Sequence, residues 1–148
     1  MKIGIATDHN GVEEKKILIK YLSELGYEVK DYSVNNTPID DYPDFAAQVS
    51  MAVINNEIEQ GILMCGTGIG MSITANKFKG IRCAKISTKE EAILAREHNN
   101  ANVIALSYKM PIVEIKEILK YYLKTEYTND ERHTRRLNKI KEIENQNV

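Results

Sequence analysis

"GILMCGTGIGMS", residues 61–72, decides how the rest of the chain is read. A short apolar run ends at Cys65, and glycines follow at 66, 68 and 70. The run is too short for a stable helix and is closed by glycine, so it reads as a buried strand. "GMSITANKF" then reads as a helix that starts from the glycine loop. Strand, tight loop and helix in this order form the unit from which parallel sheets are built.

The same unit recurs on both sides. Upstream, "KIGIA" (2–6) is a first strand, followed by the helix "VEEKKILIKYLSELG", whose Leu18, Tyr21, Leu22 and Leu25 share one face and whose Gly26 is a natural stop. "YEVKDYS" alternates as a second strand, and "PDFAAQVSMAVINN" sets Phe45, Val49, Ala52 and Val53 on one helical face. Downstream, "IRCAKIS" is a fourth strand, and Thr88 with Glu91 predicts a capping box for "KEEAILAREH". "NVIALS" is a fifth strand, and Pro111 suits the first turn of "PIVEIKEILKYYLKT". A polar helix closes the chain, and its end, "KIKEIENQNV", is expected to fray. Right-handed crossovers make this a three-layer α/β/α, Rossmann-like domain over residues 1–148, with a five-stranded parallel sheet and an extra C-terminal helix.

Composition agrees with a soluble domain that buries its own core: 148 residues, 43% hydrophobic and 28% charged. The net charge of −1 carries no bulk signal for nucleic acid or a membrane surface. Cys65 and Cys83 lie far apart, without Cys-x-x-Cys or Cys/His spacing, so no zinc site is expected. The start lacks the pattern of a secretory leader, and no run approaches the ~20 apolar residues of a membrane span. The expected location is cytoplasmic, with reduced thiols.

In a doubly wound sheet, ligands bind outside the carboxyl ends of the strands. Two loops fall there: "TDHNG" with Asp8 and His9, and "CGTGIG" with Cys65. Glycines let the backbone N–H groups approach an anion, and such surroundings favour a thiolate. On local pattern alone Cys65 remains either a small core hydrophobe or a reactive thiol. Asp8 remains a helix cap or a site residue. The glycines give G-x-G-x-G after the third strand, not the dinucleotide fingerprint after the first. Cys83, inside a strand, is expected to be buried and unreactive.

His98 and Asn99 end the helix before strand five, which puts them at the amino edge of the sheet, away from Cys65. His98 is then either a helix-end histidine or part of a site shared between subunits. Arg132 and Arg136, four apart in "DERHTRRLNKI", share a helical face that suits a phosphate dianion or simply faces solvent.

Together, "TDHNG", "DYPDFA" (41–46), "GILMCGTGIGMSITANKFKGIRCA" (61–84), "REHNNANVIA" (96–105) and "RHTRR" (132–136) closely resemble the type B ribose-5-phosphate isomerases. That group is part of a wider sugar-phosphate isomerase family that includes the galactose-6-phosphate isomerase subunits. The resemblance implies interconversion of ribose 5-phosphate and ribulose 5-phosphate in the pentose phosphate pathway, with no metal or organic cofactor. It implies Cys65 as the base that moves a proton between C1 and C2 through an enediolate. A second branch uses a glutamate just after the loop's last glycine, where this chain has Met71. It further implies that His98 opens the ring, with Asp8 and Thr67 beside it and Asn99 at the enediolate. The backbone of Gly66, Gly68, Ile69 and Gly70 would face the substrate, and Tyr42 would line the site. His9, Arg132 and Arg136 would hold phosphate or sugar. Family members are dimers, some assembling further to tetramers, with active sites at the subunit interface, and for this chain the resemblance implies a homodimer.

Three departures bear on substrate length and affinity. Thr7 and Asn10 take variable places in the first motif, Lys109 stands where an arginine is common, and Glu131 replaces a frequent glycine. Lysine brings a point charge without the guanidinium fork. Two other readings remain: an isomerase of a six-carbon sugar phosphate such as galactose 6-phosphate or allose 6-phosphate, and a non-catalytic sugar-phosphate binding module.

Overall fold

The computed structural model describes residues 1–146. Its strands are β1 (Lys2–Thr7), β2 (Glu28–Asp31), β3 (Gln60–Cys65), β4 (Cys83–Lys85) and β5 (Val103–Ser107). Its helices are α1 (Val12–Glu24), α2 (Tyr42–Ile54), α3 (Ile69–Ala75), α4 (Lys89–Glu97), α5 (Ile112–Lys124) and α6 (Glu131–Gln146), with a 3-10 turn at His9–Gly11. The five strands form one parallel sheet in the order β2-β1-β3-β5-β4.

Period-two alternation sorts the strand residues onto two faces. Ile3, Ile5, Ile62, Met64, Ile104 and Leu106 meet α1, α4 and α5 through residues such as Leu18, Ala92 and Leu119. Ala6, Leu63, Cys65, Val103 and Ala105 meet α2 and α3 through Phe45, Val49 and Met71. On this second face Gly61 lets α2 close in, because a Cβ there would strike Val49. Every residue of β3 is buried, as expected for the central strand of a sheet covered on both sides.

From β1 the chain steps outward to β2, then crosses back to β3 on the other flank. Strand order therefore reverses between β1 and β3, and the loops that leave their carboxyl ends part to open a crevice. Thr7 pairs with Met64 and Cys65 with Ser107, which brings the ends of β1, β3 and β5 level.

Several local expectations are corrected. Leu25 follows the end of α1 and is half exposed, while Leu18 and Leu22 are fully buried. Pro111 is the residue before α5, with ψ at 133°, rather than its first helical residue. The Thr88 hydroxyl accepts the Glu91 N–H at 3.1 Å, but the Glu91 carboxylate reaches back to the Ser87 N–H, not that of Thr88. β4 shrinks to Cys83–Lys85 at the sheet edge, and Cys83 is partly rather than fully buried. The expected fraying of the last residues concerns 147–148, which lie outside the described residues; 139–146 are helical.

Candidate active site

The carboxyl ends of β1, β3 and β5 bring together Asp8, His9, Cys65, the glycine loop and Lys109. Cys65 is 6% exposed and packs within the second core face. Its body packs as core, and its Sγ accepts the Gly68 N–H at 3.1 Å.

The loop's shape is set by close approach. Gly68 has φ +82°, and a Cβ on it would lie 3.0 Å from the backbone of Leu106. Gly70 lies beneath the Tyr42 ring, which a Cβ would strike, so glycine lets Tyr42 lie over the loop. The Gly66 carbonyl accepts the Ser107 hydroxyl at 2.7 Å, and the Cys65 carbonyl accepts the Tyr108 N–H at 3.2 Å. Thr67 is exposed, and its Oγ1 accepts the Ile69 N–H at 3.1 Å. Two of the loop's donors, on Gly68 and Ile69, are thus engaged inside the loop. The Lys109 ammonium and the Tyr108 hydroxyl both approach Gly66, at 3.9 and 4.0 Å from where its Cβ would be.

Asp8 caps the 3-10 turn, its Oδ1 accepting the Asn10 N–H at 3.0 Å. The His9 Nδ1 meets the Asp40 Oδ1 at 2.8 Å, and the same oxygen accepts the His9 N–H at 3.0 Å. The hydrogen bond to Asp40, followed by the charge of Asp40 and Asp8, raises the His9 pKa above its ordinary value. Asp40 is held low by hydrogen bonds from Asn36 and His9 that outweigh its burial.

His98, Asn99, Arg132 and Arg136 do not join this group. His98 is the C-cap of α4, which runs from the carboxyl to the amino edge of the sheet. β5, five residues and roughly 16 Å long, separates that end from the Cys65 edge. His98 stacks on His133, with ring centroids 4.2 Å apart and planes inclined by 18°. Arg132 Nη2 lies 3.4 Å from His133 Nε2. A guanidinium only donates, so a hydrogen bond here needs that nitrogen as the acceptor. Desolvation, then the neighbouring His98 and Arg132, lowers the His133 pKa. Asn99 is exposed and lines a groove between α6 and the β4 edge, and Arg136 is exposed on α6. Cys83 lines the same groove, and burial pushes its thiol up to about 12.

The sequence reading did not single out Tyr108, Asp40 or His133 as site residues. Tyr108 had an available signal, since it directly follows β5 at the ligand-binding edge. His133 had a weak one in its place beside Arg132. Asp40, in the long polar loop before α2, had none.

The Ribose/Galactose Isomerase family model matches residues 3–140. The chain belongs to that family. Ribose-5-phosphate isomerase B of Escherichia coli is 40% identical over 144 residues, covering 97% of this chain and 96% of that protein. The solved ribose-5-phosphate isomerase B of Clostridium thermocellum superposes with a TM-score of 0.95 at 41% identity, covering 100% of both chains. That of Mycoplasma genitalium, solved with bound ribulose-5-phosphate, gives 0.91 at 40% identity, covering 98% of this chain and 97% of that one. Within the family the chain is thus of the type B ribose-5-phosphate isomerase kind, and it is an isomerase. No helix among the described residues is long and apolar enough to cross a membrane.

Proposed function

We propose that this isomerase, one domain over its whole length, interconverts ribose 5-phosphate and ribulose 5-phosphate, with Cys65 as the base. The observation that carries the assignment is the Cys65 sulfur at the end of the central strand, with the Gly68 N–H directed at it at 3.1 Å. The thiolate takes the C2 proton of the open-chain aldose and returns it to C1, so one group serves both half-reactions. Negative charge builds on O1 and O2 of the enediolate. The backbone of Gly66, Gly68, Ile69 and Gly70 and the ammonium of Lys109 border the space where that charge develops. The Asp40-paired His9 is suited to the phosphate, because its raised pKa keeps a cation available. Tyr42, lying over Gly70, walls the pocket. Asp8 and Thr67 stand beside the ring.

A second copy of the chain completes the site. Ring opening needs an acid, and the matching residue, His98, is at the wrong edge of its own sheet. A homodimer that sets the amino edge of one copy against the carboxyl edge of the other supplies His98, Asn99, Arg132 and Arg136 to Cys65. Ile69 and Ile73, one turn apart on α3, are 54% and 57% exposed in the single chain and offer apolar surface for that contact. Dimers pairing into tetramers remain compatible with the same site. Activity at the location expected for a pentose phosphate enzyme, the cytoplasm, needs no membrane association.

The test is a direct isomerase assay on ribose 5-phosphate, with allose 6-phosphate and galactose 6-phosphate alongside. Fastest turnover of the pentose supports the proposal. Preferential turnover of a hexose refutes the substrate, and binding without turnover refutes the reaction.

A further inference from the structure

Lys15 is a charged residue that the chemistry above leaves unused, yet it is only 3% exposed. Burying an ammonium costs stability unless it is fully hydrogen-bonded and paired. Here the Nζ donates to the Ser33 carbonyl at 2.9 Å, the Ser33 Oγ at 3.0 Å and the Asn36 Oδ1 at 3.0 Å. The Asp31 Oδ2 lies 3.1 Å away and balances the charge.

These contacts have a direction. An ammonium has no acceptor, so it fixes which end of the Asn36 amide faces it. The Asn36 Nδ2 must then point the other way, and it donates to the Thr7 carbonyl at 2.9 Å and the Asp40 Oδ2 at 2.8 Å. Asp40 Oδ2 also accepts the Thr37 N–H at 3.0 Å, which leaves Oδ1 for His9. Ser33 Oγ, held by Lys15, accepts the Thr7 N–H at 3.1 Å. The loop after β2 is therefore stitched to β1 immediately before His9.

We propose that Lys15 is a positioning residue for His9, acting through Asn36 and Asp40. Without the ammonium, Asn36 loses what fixes its orientation, and the loop that carries Asp40 loses its anchor. The charged groups facing His9 are the Asp40 and Asp8 carboxylates. Loss of the Lys15 charge leaves Asp31 unpaired and by itself would raise the His9 midpoint, whereas displacement of Asp40 lowers it, so the sign of the shift tells the two apart. The link to catalysis rests on the reading of His9 as a phosphate contact.

The experiment uses Lys15→Met, which keeps length and removes charge. His9 is one of three histidines, so its ring proton can be assigned by NMR against His9→Asn and titrated. The His9 midpoint should fall toward the ordinary histidine value. The KM for ribose 5-phosphate should rise about tenfold, as for one weakened charge-assisted phosphate contact, with a much smaller change in kcat. Asn36→Ala keeps Lys15 with Ser33 and Asp31 and removes the Asn36 bonds to Lys15, the Thr7 carbonyl and Asp40. It should shift the midpoint in the same direction and serves if Lys15→Met does not fold. A lowered melting temperature with the His9 midpoint unmoved in the folded variants would overturn the proposal. A shifted midpoint with unchanged KM would uphold the positioning role and instead refute His9 as the phosphate contact.

Discussion

The Cys65 sulfur accepts the backbone N–H of Gly68 at 3.1 Å, from within the core face that α2 and α3 cover. A residue that packs and reacts responds differently to substitution than one that only packs. Cys65→Ala removes a single buried atom, so its stability cost should be about 1 kcal/mol. The rate should fall about 10²–10⁴-fold, the usual contribution of a general base. Thermal unfolding and steady-state kinetics on one preparation separate the two effects. A severe loss of stability with a matching loss of folded enzyme would indicate packing alone.

Alkylation should discriminate between the two thiols. Burial pushes Cys83 up to about 12, so its reactive thiolate is scarce at neutral pH. Inactivation by iodoacetamide should therefore track modification of Cys65, and a Cys83→Ser variant should be inactivated at the same rate. Mass spectrometry of the modified peptides reads the outcome. Inactivation that follows Cys83 instead would contradict the site.

Gly68 and Gly80 form a matched pair. Both have positive φ, +82° and +88°, but a Cβ would press on Leu106 at Gly68 and meet nothing within 4 Å at Gly80. Gly80→Ala should cost about 1 kcal/mol through backbone strain alone. Gly68→Ala should cost more and also lower kcat, because the strained loop directs its N–H at Cys65. Denaturant titrations with kinetics on both variants test this, and equal costs with unchanged kcat at Gly68 would refute it.

The sign of the His9 effect follows from its raised pKa. The imidazolium survives into the pH range where an ordinary histidine, near 6.5, is already losing its proton. Its pairing with Asp40 favours the folded state below that range and is lost as pH rises through the folded-state value. Phosphate affinity should follow the same course: KM flat on the acid side, rising as His9 deprotonates. Asp40→Asn should move that rise to lower pH, as read from KM measured across pH. A rise left in place would separate His9 from phosphate binding.

The layers of the fold were legible in the sequence because buried strands and amphipathic helices leave local patterns. β3 is wholly buried and reads as an unbroken apolar run, and Leu18 with Leu22 marks the inner face of α1. β4 was overestimated because an edge strand pairs with one neighbour only, and its apolar letters do not report that. Of the site, the loops of Cys65 and His9 could be placed by topology, since the carboxyl edge follows from strand direction. The Lys15–Asn36–Asp40 relay could not, because it joins a helix to two positions in a polar loop with no periodicity. The stack of His98 on His133 joins the end of α4 to the start of α6, a contact set by tertiary packing alone.

The separation of His98 from Cys65 leads to the decisive measurement. Cys65→Ala and His98→Asn copies, carrying different tags, are co-expressed and the mixed dimer is isolated. In a two-fold dimer with shared sites, one site carries both substitutions and the other neither, whereas unshared sites would each carry one. If each site joins the Cys65 edge of one copy to the His98 edge of the other, the mixed dimer should recover about half the wild-type rate on ribose 5-phosphate, while each parent dimer stays nearly inactive. A mixed dimer no more active than its parents would contradict the shared site.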